Sequence, residues 1–395
     1  MKPVSRNTAS ISISAIKRIE LLARSKKDVI SLAQGIPYFE TAQNIKNAAK
    51  KAIDENLVGK YTAGFGIEPL RIAIAKKVTR ENNIPTNPSQ VIVTHGAIEA
   101  LMAIFLALLD TNDEIIIPTP DYATHLTQVL IATHGRKAIQ VPLEETETGW
   151  KLNGKKLEQA ITKNTKAILI CNPSNPIGKV YSKEELKDIA RIAKKHDLYI
   201  ITDEMYEHFL FDGKKHVSIG SFPEVKDRTI SIFGVSKSYA MTGWRIGYIV
   251  ASKPLINEIF KVHDSIITCP AAVSQYAALE AITGPQSMVS EYKKVFEKHR
   301  KLVMDAFSTC ENITCGMPEG GYYAFPKIKG VFDDEKLAQD LIEKAKVALV
   351  PGSAFGKGGK GHLRLSFGCT KENLQEGLTR FTAYIQKLHL RGVTS

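Results

Sequence analysis

The feature that most narrows the choice of fold is an alternation that begins at residue 91. Six short runs rich in β-branched residues, 91–94, 114–117, 166–170, 198–202, 229–233 and 245–250, are separated by stretches in which apolar side chains recur at helical spacing. Strand, helix and strand in succession make a βαβ unit, and a series of such units buries its strands in a mostly parallel sheet. After about residue 285 the pattern changes to a long charged helix over 290–307, strand-like 322–326 and 362–367, and a closing helix from Lys371. The expectation is an α/β protein with a large domain over 46–285, carrying the mostly parallel sheet, and a smaller α+β domain over 286–395. Residues 8–24 read as a helix opened by Thr8 or Ser10 and followed by a turn at Gly35-Ile36-Pro37. This N-terminal arm, 1–45, is expected to join the C-terminal part, because the two flank the sheet segments in the chain.

Composition narrows the functional classes. With 44% hydrophobic and 24% charged residues, the 395-residue chain can bury a large core, which excludes disordered and fibrous classes. Lys and Arg number 53 against 41 Asp and Glu, a net charge of +12. The cations are scattered, in pairs such as Lys26-Lys27, Lys76-Lys77 and Lys194-Lys195, with acids between them. A nucleic-acid binder concentrates its cations in a patch or stripe, so a solvated surface and no nucleic-acid partner are expected. Cys171, Cys269, Cys310, Cys315 and Cys369 are odd in number, dispersed and without CxxC spacing. They point away from a disulfide framework or a zinc site and towards a reducing cytoplasm. The longest apolar run, 100–109, is far short of the roughly 20 residues of a membrane span, and the N-terminus lacks a signal-type apolar segment. No membrane association and no metal are expected.

One motif is a decoy. Gly356-Lys357-Gly358-Gly359-Lys360-Gly361 has the spacing G-x-G-x-x-G, but a strand-like segment follows it where a dinucleotide site requires a helix, so it reads as a mobile glycine loop.

The chemistry gathers where the expected strands end, which is where open α/β sheets bind ligands. Gly96-Ala97 follows 91–94, Asn175 follows 166–170, Asp203 follows 198–202, and Lys237 follows 229–233. Singly, a lysine is a surface residue and an Asp after a strand caps a helix. Together they supply a lysine for a Schiff base, an acid for a pyridinium nitrogen, and a helix N-terminus with an arginine for a phosphate. These are the protein parts that pyridoxal phosphate requires.

With these residues in place, the chain resembles the pyridoxal-phosphate-dependent aminotransferases of fold type I, class I/II. The likeness runs from Ser31-Leu32-Ala33-Gln34-Gly35-Ile36-Pro37 to Arg364-Leu365-Ser366-Phe367. Its most specific segment is Ser236-Lys237-Ser238-Tyr239-Ala240-Met241-Thr242-Gly243-Trp244-Arg245-Ile246-Gly247, with the lysine eight residues before the arginine. Asp203-Glu204-Met205-Tyr206, Asn172-Pro173-Ser174-Asn175-Pro176-Ile177-Gly178 and Lys60-Tyr61-Thr62 support it, as does Pro351-Gly352-Ser353-Ala354-Phe355-Gly356. The resemblance implies a ping-pong exchange of an amino group between an L-amino acid and a 2-oxo acid, with pyridoxal 5′-phosphate as cofactor. It implies that Lys237 holds the cofactor and shuttles the proton, and that Asp203 pairs with the ring nitrogen. Tyr206 and Asn175 would bind the ring 3′-oxygen, and Tyr122 would stack on the ring. The backbone at Gly96, Ala97 and Ile98, with Ser236 and Arg245, would take the phosphate. Arg364 would grip the substrate α-carboxylate, helped by the Gly35 backbone and Asn175. Tyr61 would reach the phosphate of the neighbouring subunit, making the site a property of a homodimer.

Three positions depart from the family pattern. Ile177 replaces a threonine that braces the turn, Gly234 stands where some relatives have a phosphate-binding serine, and Ile98 stands where aspartate-handling relatives carry a lysine. An apolar Ile98 cannot pair a second carboxylate, so a neutral, aromatic or thioether side chain is expected to be favoured over aspartate. Two alternatives share the framework. One is a C–S β-lyase; the other is a cofactor-sensing regulatory module, which the lack of room for a DNA-binding domain opposes.

Overall fold

The computed structural model describes residue 2 and residues 11–390. Thr8 and Ser10 lie outside this range. Helix α1 (Ala15–Arg24) is instead capped by Ser14, whose side chain accepts the Lys17 N–H. Strand β1 (Ile30–Ser31), α2 (Gln43–Asp54) and α3 (Glu68–Asn82) lead to the large sheet. That sheet uses β2 (Val91–Thr94), β3 (Glu114–Thr119) and β4 (Ile139–Pro142), then, after a small hairpin of β5 (Glu144–Thr146) and β6 (Gly149–Lys151), β7 (Thr165–Cys171), β8 (Tyr199–Asp203), β9 (Thr229–Gly234) and β10 (Gly247–Val250).

The strand order is β2-β10-β9-β8-β7-β3-β4. Strand β10 is antiparallel to both β2 and β9, and the other pairs are parallel. Because β10 is reversed between them, β2 and β9 run the same way. The carboxyl ends of β2, β9, β8 and β7 therefore open on one edge, together with the start of β10. This is how segments far apart in sequence come to face one cavity.

Side chains alternate across the sheet. Along β9, Ile230 and Ile232 join one apolar layer, whereas Phe233 joins another. The first layer includes Leu101 and Phe105 of α4 (Gly96–Leu108) and Ile256 and Ile259, which lie beyond α5 (Ala123–Ala132), α6 (Gly154–Gln159) and α7 (Lys183–Lys195), on α8 (Lys253–Ile267). The opposite layer packs Val78 of α3 and Ala277 of α9 (Ala272–Thr283). Helix α7 has a Ser182/Glu185 capping box, acids in its first turn, and Lys194 and Lys195 in its last. That lysine pair complements the helix dipole, a local reason for one of the scattered basic pairs.

The remaining chain holds α10 (Ser287–Ser308), β11 (Ile313–Thr314), β12 (Tyr323–Ala324), β13 (Lys327–Ile328), α11 (Asp334–Asp340), β14 (Val347–Ala348), β15 (Val350–Pro351), β16 (Leu363–Ser366) and α12 (Lys371–Leu390). Strand β1 pairs in parallel with β14, and Ala15, Ile19 and Leu32 share an apolar cluster with Val347, Leu374 and Phe381.

The run Gly356 to Gly361 differs from the expected mobile loop. The Lys357 N–H donates to Gln140 Oε1 at 2.7 Å and the Gly361 N–H to Asp334 Oδ2 at 2.8 Å. Partners distant in sequence tie it down, just before β16. Among the described residues, no helix is long and apolar enough to cross a membrane.

Candidate active site

A cavity of about 230 Å³ opens at the shared strand edge, lined among others by Tyr122, Asn175, Asp203, Lys237, Arg245 and Arg364. Its two ends and its middle have different chemistry.

The first end suits an anion. The first backbone N–H groups of a helix have no partner within it, and Ala97 and Ile98, in the first turn of α4, line the cavity. Gly96 has φ +78°, a conformation that glycine adopts without strain, and a Cβ there would lie 2.4 Å from Arg245 Nη2. The guanidinium is thus laid against the helix start. Arg245 is itself left-handed (φ 57°, ψ 51°), at a cost of about 1 kcal/mol for a non-glycine residue. Its Nη1 donates to Thr242 O at 2.8 Å. A cation and a helix N-terminus at one point make an anion site. Ser236, buried, lines the same cavity.

The middle holds an amine and a carboxylate. Lys237 Nζ donates to Gly35 O at 2.8 Å. Burial, then the nearby Arg364 and Arg245 charges, outweigh Asp203 and bring the lysine down from the ordinary 10.5 to about 8. Asp203 Oδ1 accepts the Met205 N–H at 3.1 Å, and its Oδ2 lies 3.2 Å from His125 Nε2. His125 Nδ1 lies 2.6 Å from Asp121 Oδ2. Burial alone would pull the His125 pKa down, but the two carboxylates outweigh it and raise it to about 10. Asp203 is therefore braced from behind by His125, whose protonated form the two carboxylates favour, while burial raises Asp121 as well.

The other end suits a carboxylate. Arg364 is 1% exposed; Nη1 donates to Asn175 Oδ1 at 3.1 Å, Nη2 donates to Ala33 O, and Nε is buried with no partner. An orphaned donor on a buried cation is costly unless a ligand satisfies it.

Most residues singled out from the sequence meet here, some with different neighbours. Tyr206 and Asn175 both line the cavity, but the Tyr206 hydroxyl meets that of Tyr323 at 2.8 Å and the Asn175 carbonyl meets Arg364. Gly35 turns its carbonyl, an acceptor, to Lys237 and to the Tyr322 hydroxyl, so that oxygen cannot grip a carboxylate. Tyr122 stands edge-on to His125, with ring centroids 5.3 Å apart. Tyr61 is 87% exposed and outside the cavity.

The departures have local reasons. A Cβ at Gly234 would lie 2.9 Å from Met205 Sδ and 3.1 Å from the Ile246 carbonyl oxygen, so a serine would have to displace the methionine, and Ile177 is buried in an apolar cluster. Residues that sequence reading missed include Asp121, His125 and Tyr323. Only the four-residue spacing of Asp121, two residues ahead of α5, and His125, in its first turn, could have flagged the first two.

The chain matches the family model described as aminotransferase class I and II over residues 27–381. It is 38% identical over 384 residues to an aspartate aminotransferase of Pyrococcus abyssi, covering 96% of this chain and 97% of that one. The chain belongs to the class I and II aminotransferases. The aminotransferase is also 35% identical to aromatic-amino-acid aminotransferase 2 of Thermococcus litoralis, covering 96% of this chain and 97% of the relative. The solved aspartate aminotransferase from Rhizobium meliloti superposes with a TM-score of 0.92 at 34% identity, covering 98% and 99% of the two chains. The aminotransferase is thus a transferase of fold type I with a large, mostly parallel sheet. Its class works with pyridoxal 5′-phosphate. The anion cradle at Gly96 and the orphaned Nε of Arg364 fit that cofactor's phosphate and a substrate carboxylate respectively.

Proposed function

We propose that this aminotransferase binds pyridoxal 5′-phosphate at the strand edge and moves the amino group from an L-amino acid with a neutral, aromatic or thioether side chain to a 2-oxo acid, both half-reactions using one site. The observation that carries this reading is the Lys237 amine, brought to about 8 in a cavity shared with Asp203 and Arg364. Bound there, the cofactor supplies the electron-withdrawing ring that accepts the electron pair left when the substrate Cα proton departs.

The chain's residues do the rest. Gly96, Ala97, Ile98, Ser236 and Arg245 take the phosphate, and Tyr122 flanks the ring. Asp203, braced by His125, would keep the ring nitrogen protonated, and Tyr206 and Asn175 would hold the ring 3′-oxygen. Arg364 would take the α-carboxylate through its free Nε, in the cavity that it shares with Lys237. Once the substrate amine has taken its place on the cofactor, the freed neutral Lys237 amine would be the group that moves the substrate Cα proton.

Two further features support the substrate class. Ile16 and Ile36 join Ile98 in lining the cavity, and the cations among its lining residues are Lys237, Arg245 and Arg364, each with a role already. Among the described lining residues, no cation is left over for the side-chain carboxylate of an amino donor. The relatives are named for aspartate as well as for aromatic amino acids, so their names leave the side chain open. Tyr61, exposed in one chain, is read as reaching the neighbouring subunit's phosphate in a homodimer. The pairing of β1 with β14 supports grouping 1–45 with 286–395 as the smaller body, apart from 46–285.

The test is a panel of L-amino acids with 2-oxoglutarate or pyruvate as acceptor. Phenylalanine, leucine or methionine should outpace aspartate in kcat/KM; a clear preference for aspartate would overturn the substrate class. Turnover of a sulfur amino acid to pyruvate without any 2-oxo acid would instead mark a lyase.

A further inference from the structure

Outside the cavity, a buried pair sits directly behind the anion cradle. Glu99, in the first turn of α4, is 9% exposed, and its Oε2 accepts the His95 N–H at 3.0 Å, at the very end of that helix. Its Oε1 lies 3.0 Å from Nδ1 of His263 on α8, which is 0% exposed. The other ring nitrogen, Nε2, lies 3.0 Å from the Gly64 carbonyl.

The hydrogen-bond inventory fixes the charge of this pair. A carbonyl oxygen only accepts, so Nε2 carries a proton. Between Nδ1 and Oε1 there must be a second proton, because two acceptors repel. Either His263 is an imidazolium against a carboxylate, or Glu99 is protonated against a neutral ring. Both arrangements leave the pair electrically neutral.

That neutrality matters because of where Glu99 lies. A bare carboxylate at a helix N-terminus is itself favoured by the dipole and already takes one of the terminal N–H groups. Without compensation, it would compete with and repel a second anion bound at the same helix end, in a site of low dielectric. We propose that His263 is a positioning residue for the cofactor phosphate. It neutralises Glu99 and so leaves the N-terminus of α4 free for an anion. The inference rests on the placement of the phosphate given above.

The experiment uses the apo-enzyme and two probes: pyridoxal 5′-phosphate and pyridoxal, which has the ring but no phosphate. Dissociation constants are measured by equilibrium dialysis for wild type, Glu99→Gln, His263→Gln and the double variant, with folding checked by circular dichroism. Glu99→Gln keeps every hydrogen bond, since its amide oxygen can accept the His95 N–H while its nitrogen donates to a neutral His263. It should bind the phosphorylated probe within about threefold of wild type. His263→Gln strands the carboxylate, and should weaken the phosphorylated probe by about tenfold or more while changing pyridoxal by less than about twofold. Adding Glu99→Gln to His263→Gln should restore the affinity, an interaction that two merely structural losses would not produce. Equal weakening of both probes in His263→Gln, no weakening of either, or a double variant no better than the single one would overturn the proposal. If His263→Gln fails to fold, the double variant decides: phosphate-selective binding supports the proposal and its loss refutes it. Wild type that fails to prefer the phosphorylated probe would instead overturn the cradle itself, and the proposal with it.

Discussion

Labelling the apo-enzyme with an amine-selective reagent across a pH series should single out Lys237 by its titration midpoint. A lysine at 10.5 is neutral in about one molecule in a thousand at pH 7.5, whereas one at 8 is neutral in about a quarter. The structure lowers Lys237 from 10.5 to about 8, first by burial and then by Arg364. Short pulses with an acylating reagent, followed by mass spectrometry of the peptide containing Ser236-Lys237-Ser238, give a rate at each pH. The midpoint is the quantity to read, because partial burial slows access to the amine without moving the pH at which it loses its proton. A midpoint near 8 is expected. Arg364→Leu removes the second cause and should move it upward. A midpoint close to 10.5, or one indifferent to Arg364→Leu, would refute the argument that the site itself makes the amine a base at neutral pH.

Arg364→Ala and Arg245→Ala should separate. The first should raise the amino-acid KM by about a hundredfold, the worth of one charge-assisted hydrogen bond, with cofactor retained, and the second should release cofactor on dialysis. Gly96→Ala combines φ +78° with a Cβ 2.4 Å from Arg245 Nη2, and should cost about 1–3 kcal/mol in urea unfolding. His125→Gln tests the buried imidazolium. Its folded-state pKa of about 10 lies above the ordinary 6.5, so the stability it contributes is fully present below pH 6.5 and is lost as pH rises through 10. The stability gap between wild type and His125→Gln should therefore be widest near pH 6 and narrow towards pH 10; a gap that widened with pH would contradict the assignment.

What could be read from the sequence follows from burial. Strands β7, β8 and β9 are covered on both faces and read as short runs rich in β-branched and apolar residues, so their ends, and with them Asn175, Asp203 and Lys237, could be located. Strand β4 was missed because only Val141 of its four residues is buried, as befits an edge strand. The direction of β10 was not legible either, since four alternating residues read the same way in either orientation, yet its reversal puts Arg245 on the ligand edge. The bonds that hold the glycine loop come from Gln140 and Asp334, and no local pattern announces such partners. The brace behind Asp203 was hidden for a related reason: Asp121 and His125 look like ordinary polar residues opening a helix until the fold brings β8 beside them.

The most direct test of the account is to reconstitute the apo-enzyme with pyridoxal 5′-phosphate, reduce it with borohydride, and map the labelled peptide. Lys77 and Lys179 are also buried, but each is engaged by a carboxylate, of Glu207 and Glu185 respectively, whereas Lys237 offers its amine to a backbone carbonyl. The account predicts one stable label per chain, on Lys237, and none in Lys237→Ala; a label on any other lysine, or one that survives that substitution, would contradict it.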